Sequence, residues 1–307
     1  MALDPDVAEL VAALAATNAP ALSAGSINDA RANYFAAPRP PSDPLPHVVD
    51  IAIPGSHGPI STRVYASVDA PSLLPIVIFA HGGGWVLSSV DGHDHLARRL
   101  ALLTGALVIS VDYRLAPEHP FPAPHDDCWE VLEFVSRHGQ DFGGDPSRMV
   151  VCGDSAGGNL AAGLAIRARD HGLDLRGQVL LYPCIDDRPE GYQSMIDNAT
   201  GYFLTAADMA WFWNHYLGAA DRADPRAVPA RCDNLAGLAP TLLVTAEYDP
   251  LRDEGEAFSR RLHDAGVQTS YICTPGVVHG FLARWHTMSR AHEILGVAAE
   301  FIQSTTR

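Results

Sequence analysis

From about residue 47 the chain alternates short apolar runs with longer segments of helical periodicity. Near-continuous runs of β-branched and apolar residues, such as PIVIFA, ALVISV and TLLVTA, predict strands that are covered on both faces. The predicted strands are residues 47–53, 60–66, 74–80, 106–112, 148–153, 177–182, 240–246 and 268–273. The predicted helices are residues 93–103, 124–138, 156–170, 252–265 and 289–302. This alternation predicts an α/β fold, a mostly parallel sheet between helices, with an antiparallel edge formed by the first two strands.

Two regions depart from the alternation. Residues 1–45 contain two helix candidates and run into a proline-rich connector, APRPPSDPLP, and residues 185–218 contain the aromatic-rich segment GYFLTAADMAWFWNHYLG. We expect both regions to form one helical cap over the carboxyl edge of the sheet, where open α/β sheets bind ligands. Residues 46–184 and 219–307 would then be the α/β core. The alternative is that the two regions only extend that core.

Composition narrows the classes of function. The 307 residues carry a formal net charge of −15, which disfavours nucleic acid and anionic membranes as partners. The chain has no lysine, since all 21 basic residues are arginine, and this excludes Schiff-base chemistry, a Walker-A loop and a Ser-Lys dyad. A small-molecule ligand is the partner that remains, and the sequence leaves a homodimer open.

The cysteines and the N-terminal segment bear on the cellular location of the protein. Five widely spaced cysteines contain no C-x-x-C pair, so we expect neither a disulfide framework nor a zinc site. The segment MALDPDVAELVAALAA has acidic residues and no positive start, which is typical of an amphipathic helix and not of a signal peptide. No apolar stretch is long enough to span a bilayer. We expect a cytoplasmic protein without stable membrane anchoring.

The segment GDSAGG predicts a nucleophile. It matches G-x-S-x-G, directly follows the strand RMVVC and opens a helix, which is the context that a nucleophile elbow requires. Glycines at 153 and 157 would allow the close strand-helix crossing that exposes Ser155. Taken alone, the pattern also fits a serine that caps a helix after a glycine turn.

The segment HGGGW at residues 81–85 favours the catalytic interpretation. It follows the strand PIVIFA, and three glycines leave backbone N–H groups open to a ligand. Such a loop supplies the oxyanion hole in lipases and esterases. A phosphate-binding loop is the other interpretation, but it would need the lysine that this chain lacks.

The acid and the histidine of a triad are expected to follow in that order. Asp249 lies just past the strand TLLVTA, with Glu247 and Asp253 as rival acids. His279 lies in a loop after the last predicted strand, whereas His286 and His292 come later, on a predicted helix. The triplet His93-Asp94-His95 could suggest a metal, but without a third ligand we expect the solvated start of a surface helix and no metal site.

Taken together, HGGGW, DYRLAPEHPFPA, GDSAGG, YDPLRDEG and HGF resemble the bacterial hormone-sensitive-lipase family of esterases, in its GDSAGG branch. The resemblance implies an eight-stranded α/β-hydrolase sheet with an N-terminal cap and no cofactor. It also implies oxyanion donors at the backbone of Gly83, Gly84 and Ala156. The segment 112–123 is part of the resemblance and receives no chemical role.

The expected activity is that of a serine carboxylesterase acting on short- to medium-chain acyl esters through Ser155, His279 and Asp249. An amidase or deacetylase with the same triad is the alternative, and a receptor that binds without turnover is a more distant one. Bulky side chains are expected to enclose an apolar substrate pocket. They are Trp85, Tyr202, Phe203, Leu204, Trp211 and Phe212.

Overall fold

The computed structural model describes residues 2–17, 21–36, 40–68 and 72–307. Residues 1, 18–20 and 37–39 of the predicted cap segment, including the first three residues of the proline-rich connector, lie outside the described part. The strands are β1 His47–Ile53, β2 Ile60–Ala66, β3 Leu74–Ala80, β4 Leu107–Val111, β5 Gly144–Asp154, β6 Gly177–Leu181, β7 Thr241–Tyr248 and β8 Thr269–Val278.

These strands form one eight-stranded sheet in the order β1-β2-β4-β3-β5-β6-β7-β8. Strand β2 pairs antiparallel with both β1 and β4, and every other pairing is parallel. The α/β-hydrolase sheet and its antiparallel edge are therefore confirmed. The parallel pairing brings the carboxyl ends of β3, β5, β6, β7 and β8 to one edge.

Helices cover both faces of the sheet. The α-helices are α1 Pro5–Ala16, α2 Ile27–Ala36, α3 Val90–Thr104, α4 Ala123–His138, α5 Ala156–Asp170, α6 Ser194–Asp197, α7 Ala206–Leu217, α8 Arg252–Asp264 and α9 Ser289–Thr305. Short 3₁₀ turns lie at Leu22–Ala24, Gly139–Phe142, Pro189–Gly191, Pro229–Arg231 and Phe281–Arg284. Apolar side chains of α3 and α9 pack on one face, and those of α4, α5 and α8 pack on the other. No helix in these described ranges is long and apolar enough to cross a membrane.

The segments before β1 and after β6 meet each other. In the turn Leu22–Ala24, the N–H of Ser23 donates to Asp208 Oδ1 of α7 over 2.9 Å. Arg31 of α2 donates from Nε to the carbonyl of Val86 over 2.9 Å, which ties α2 to the loop after β3. Helix α1 lies elsewhere, since its buried Val7 packs with side chains of α9 and β8. The two irregular regions are thus joined through the turn Leu22–Ala24 and α7, while α2 is tied to the loop after β3 and α1 packs on the core.

Two strand boundaries differ from the predicted ones by four residues or more, and the others differ by two at most. Strand β5 begins at Gly144, four residues before the predicted start, and β8 continues to Val278, five residues past the predicted end. The β8 extension contains Pro275 and Gly276, which normally end a strand. A register shift between Ala246 and Tyr248 accommodates them, and pairing resumes at Val278.

Candidate active site

Ser155 lies at the sharp turn between β5 and α5. Its backbone has φ 55° and ψ −119°, a region that side-chain-bearing residues rarely adopt. Its N–H donates to the carbonyl of Leu181 at the end of β6 over 2.8 Å. A methyl group on Gly153 would overlap the carbonyl of Gly157, and one on Gly157 would overlap the carbonyl of Ala80. The close crossing of strand and helix therefore requires glycine at both positions.

His279 bridges Ser155 and Asp249. Its Nε2 lies 2.8 Å from Ser155 Oγ, and its Nδ1 lies 2.7 Å from Asp249 Oδ2. The sheet brings these groups together because Tyr248 pairs with Val278, so the next residue of each strand enters the same loop region. The second carboxylate oxygen of Asp249 accepts the N–H of Leu251 over 2.9 Å, which orients the buried side chain.

The rival acids Glu247 and Asp253 and the later histidine His292 contact groups other than Ser155, Asp249 and His279. Glu247 accepts the N–H of Gly276 over 2.8 Å, and Asp253 accepts the N–H of Ser194 over 2.7 Å. His292 contacts the guanidinium of Arg99 over 3.3 Å. Of the three acids that the sequence offered, Asp249 alone contacts His279.

The loop after β3 lies beside the elbow, since Ala80 of β3 pairs with Gly153 of β5. Within the described residues, the N–H groups of Gly83, Gly84 and Ala156 have no acceptor. Gly83 and Gly84 have φ values of 115° and 60°, which glycine adopts without strain. Three unpaired backbone donors next to a serine hydroxyl can stabilise an oxyanion that forms there.

The segment 112–123 supports the glycine loop at residues 81–85. The hydroxyl of Tyr113 donates to the carbonyl of His81 over 2.6 Å, and the two rings stack at 4.3 Å. Burial and the neighbouring His93 lower the pKa of His81 to about 3, so its imidazole is neutral at ordinary pH. A segment with no assigned role in the sequence thus holds the first residue of the glycine loop.

Two of the predicted pocket aromatics flank the site. The ring of Phe212 lies so close to Gly84 that a methyl group there would overlap it. Phe203 is 59% exposed and has a φ of 78°, and its ring would lie 3.7 Å from a methyl group placed on Gly280. Tyr202, next in the chain, packs its ring 5.0 Å from that of Tyr248.

The other three lie deeper or further to the side. Trp85 is fully buried, and its ring stacks on Tyr216 at 4.1 Å, so it supports the glycine loop from the core and offers no surface to a ligand. Leu204 is also buried in the core. Trp211 is partly buried and packs edge-on against Phe212.

Two further residues at the site were not predicted. Cys184 Sγ lies 3.9 Å from Ser155 Oγ, and the ring of Tyr182 lies edge-on to His279 at 5.0 Å. Burial raises the pKa of the Cys184 thiol well above its usual value, so it stays neutral. A signal was present, because both residues directly follow β6, the strand between β5 and β7.

The expectation for His93 and His95 is wrong. Both are buried, at 7% and 5% exposure, and do not lie at a solvated helix start. Helix α3 begins earlier than predicted, at Val90, where Ser89 caps it by accepting the N–H of Gly92. His93 lies against Asp154 at the end of β5, His95 lies against Ala283 of the turn Phe281–Arg284, and Asp94 between them pairs with Arg98.

Comparisons with known proteins agree with this geometry. A family model described as the alpha/beta hydrolase fold matches residues 77–283. The chain is 42% identical to the esterase LipI of Mycobacterium tuberculosis, over 80% of this chain and 78% of that protein. It is 38% identical to an ethyl acetate hydrolase of Pseudomonas putida, over 76% and 75%. A solved hyperthermophilic esterase from the archaeon Pyrobaculum calidifontis superimposes with a TM-score of 0.91 at 39% identity, covering 99% of both chains.

The fold and the site define a hydrolase of the α/β class. The chain belongs to the hormone-sensitive-lipase-like family of the α/β-hydrolase superfamily, as its motifs predicted.

Proposed function

We propose that this protein is a serine carboxylesterase that hydrolyses short- to medium-chain acyl esters through a covalent acyl-enzyme. The observation that carries the proposal is the continuous hydrogen-bonded chain from Asp249 through His279 to Ser155 Oγ. Its relatives named as esterases and as an ethyl acetate hydrolase support the same reaction class.

In the first half of the reaction, Ser155 Oγ attacks the ester carbonyl carbon while His279 Nε2 accepts the hydroxyl proton. Asp249 holds the proton on Nδ1 and stabilises the imidazolium that forms. The carbonyl oxygen becomes an oxyanion and accepts hydrogen bonds from the N–H groups of Gly83, Gly84 and Ala156. His279 then protonates the alcohol as it leaves.

In the second half, water attacks the acyl carbon of the acylated Ser155. His279 accepts a proton from that water and returns it to Ser155 Oγ as the acid leaves. Every proton in the cycle moves through His279, so no step needs a metal or a cofactor.

The substrate pocket is proposed to lie beneath α2 and α7. Parts of segments 1–45 and 185–218 would form the cap that covers it. Phe212 on the glycine loop and Phe203 beside Gly280 are the side chains best placed to contact an ester. Each buried CH₂ contributes about 0.8 kcal/mol, so rates are expected to rise with acyl length until the pocket is full. We expect the optimum between roughly four and eight acyl carbons.

A panel of p-nitrophenyl esters from acetate to palmitate, with the matching p-nitroanilides, tests the proposal. We expect ester hydrolysis with a maximum at intermediate chain length, slow amide hydrolysis, and stoichiometric inactivation by a p-nitrophenyl phosphonate. Faster hydrolysis of the anilides would favour the amidase alternative. If an ester bound but released no p-nitrophenol, not even in an initial burst, the protein would be a receptor.

We also propose a cellular location and a class of partner for the protein. All five cysteines are free, which fits a reducing compartment such as the cytoplasm. The net charge of −15 leaves small esters as the expected partners and disfavours nucleic acid.

A further inference from the structure

His93 is a buried imidazole near the start of α3 that the proposed reaction does not use. Its Nε2 lies 3.2 Å from Asp154 Oδ2, and its Nδ1 lies 2.8 Å from Ser88 Oγ. Asp154 directly precedes Ser155 in the elbow. The imidazole thus touches the residue next to the nucleophile without touching the nucleophile itself.

Asp154 joins the elbow to the glycine loop. Its Oδ1 accepts the N–H of Gly82 over 2.9 Å. A methyl group on Gly82 would lie 2.5 Å from the other carboxylate oxygen, so the loop approaches the carboxylate as closely as glycine allows. The orientation of the Gly82 peptide in turn sets the direction of the N–H groups of Gly83 and Gly84. The Asp154 carboxylate therefore connects the nucleophile elbow to the glycine loop, and catalysis needs both.

His93 and the N–H of Gly82 both bond the Asp154 carboxylate. Burial would raise the pKa of Asp154, but His93 and the N–H of Gly82 outweigh burial and hold it below its usual value. An ionised carboxylate only accepts hydrogen bonds, so His93 Nε2 carries a proton that points to Asp154, while Nδ1 bonds the Ser88 hydroxyl. Ser88 Oγ in turn accepts from the hydroxyl of Tyr34, 3.0 Å away on α2.

We propose that His93 is a positioning residue for the oxyanion hole. It fixes the Asp154 carboxylate, which holds the N–H of Gly82 and so keeps the N–H groups of Gly83 and Gly84 aimed at the oxygen of the carbonyl group that Ser155 attacks. The chain of hydroxyls extends this control to Tyr34 on α2. The proposal rests on the proposed esterase mechanism.

The test compares three replacements of His93 in the full-length enzyme. Misplacing donors by about an ångström can cost on the order of 100-fold in rate, so we expect His93→Ala to lower kcat about 10- to 100-fold, with KM within twofold. His93→Gln, whose amide nitrogen can reach the position of Nε2, should restore most of the loss. His93→Asn, whose amide reaches only the position of Nδ1, should not.

Rates are expressed per serine that reacts with a p-nitrophenyl phosphonate, because this removes any loss of folded enzyme. His95→Ala is the matched control: His95 lies on the same helix, is equally buried, and bonds the carbonyl of Ala283 over 3.1 Å. We expect this control to keep the wild-type kcat per reactive serine.

A second readout separates positioning from general damage. A trifluoromethyl ketone forms a tetrahedral oxyanion adduct with the serine, so its affinity should fall in parallel with kcat/KM across the His93 variants. An unchanged kcat in His93→Ala, equal rates for the Gln and Asn variants, or an equal loss in His95→Ala would each overturn the role of His93. Full activity of Ser155→Ala would instead overturn the esterase mechanism itself, so the two failures are distinguishable.

Discussion

Two Ser-His-Asp arrangements lie side by side among the residues that the structure describes, and only one of the two has the surroundings of a nucleophile. In the first, His279 joins Ser155 to Asp249; in the second, His93 joins Ser88 to Asp154. Both serines have a positive φ, 55° at Ser155 and 76° at Ser88. The two arrangements therefore have the same three types of side chain and a similarly strained backbone at the serine.

The difference lies in what surrounds each serine. Ser155 is followed by the N–H of Ala156, which has no acceptor in the described part of the chain, and lies beside the glycine loop. Ser88 is 2% exposed, and its oxygen already accepts the hydroxyl of Tyr34. A hydroxyl, an imidazole and a carboxylate thus suffice for a hydrogen-bonded chain, whereas catalysis also needs free donors for the oxyanion and access for a substrate.

The largest expected effect tests this distinction directly. Ser155→Ala should lower kcat by about 10⁶-fold, since removing the nucleophile of a triad removes nearly all of its advantage. Ser88→Ala should stay within about 30-fold of the wild type, because it removes two side-chain hydrogen bonds, to His93 and Tyr34, worth about 1 kcal/mol each. Ester hydrolysis per folded protein measures both.

Mass spectrometry after labelling with a fluorophosphonate provides the check on this prediction. The label should be found on the peptide that contains Ser155 and not on the one that contains Ser88. Label on Ser88, or a comparable loss in both variants, would contradict the comparison.

A smaller effect is expected at the oxyanion loop. Gly84→Ala should lower kcat about 10²- to 10³-fold, since the new methyl group would overlap Phe212 and displace an oxyanion donor. Gly105→Ala is the matched control, with a φ of 67° and nothing within 4 Å of the added carbon. It should cost about 1–2 kcal/mol of stability from the left-handed backbone and leave kcat unchanged.

Thermal unfolding and steady-state kinetics on the same preparations separate the two effects. If both variants lost activity in proportion to stability, the donor role of Gly84 would be refuted. The expected result is a loss of stability in both and a loss of kcat in one.

Local sequence was enough to predict the sheet and to place Ser155, Asp249 and His279 at one edge of it. Ser155, Asp249 and His279 each follow an apolar strand directly, and parallel strands bring such positions to one edge of the sheet. Glycine marks the close crossing at the elbow for steric reasons that do not depend on distant parts of the chain. The strand-end rule would also have found Cys184, had it been applied to β6.

The second arrangement was missed because its histidine lies within a helix and does not follow a strand end. His93 and Asp154 are 61 positions apart, and no local pattern joins them. One signal was nevertheless available, since His93 shares the buried stripe of α3 with Leu96, Ala97 and Leu100. Which partner a buried histidine meets follows only from the packing of α3 on the sheet.

The smallest expected effect concerns buried carboxylates with and without an imidazole. Glu254 is fully buried, its Oε1 accepts the N–H of Ile185 over 2.7 Å, and its Oε2 has no partner among the described residues. Burial raises the pKa of Glu254 well above its usual value, whereas His93 keeps the pKa of the equally buried Asp154 low. The two carboxylates should therefore contribute to stability with opposite dependence on pH.

Above about pH 4.3 the unfolded chain releases the proton of Glu254 while the folded protein keeps it, so this group lowers the free energy of unfolding as pH rises. Glu254→Gln should remove that penalty: its Tm should match the wild type near pH 4 and exceed it by a growing margin toward pH 8. Asp154→Asn should show the reverse, because an ionised Asp154 stabilises the folded state above the pKa of an unfolded aspartate, and that stabilisation is lost as pH falls. Parallel pH profiles of the two Tm differences would mean that the imidazole of His93 does not set the charge of Asp154.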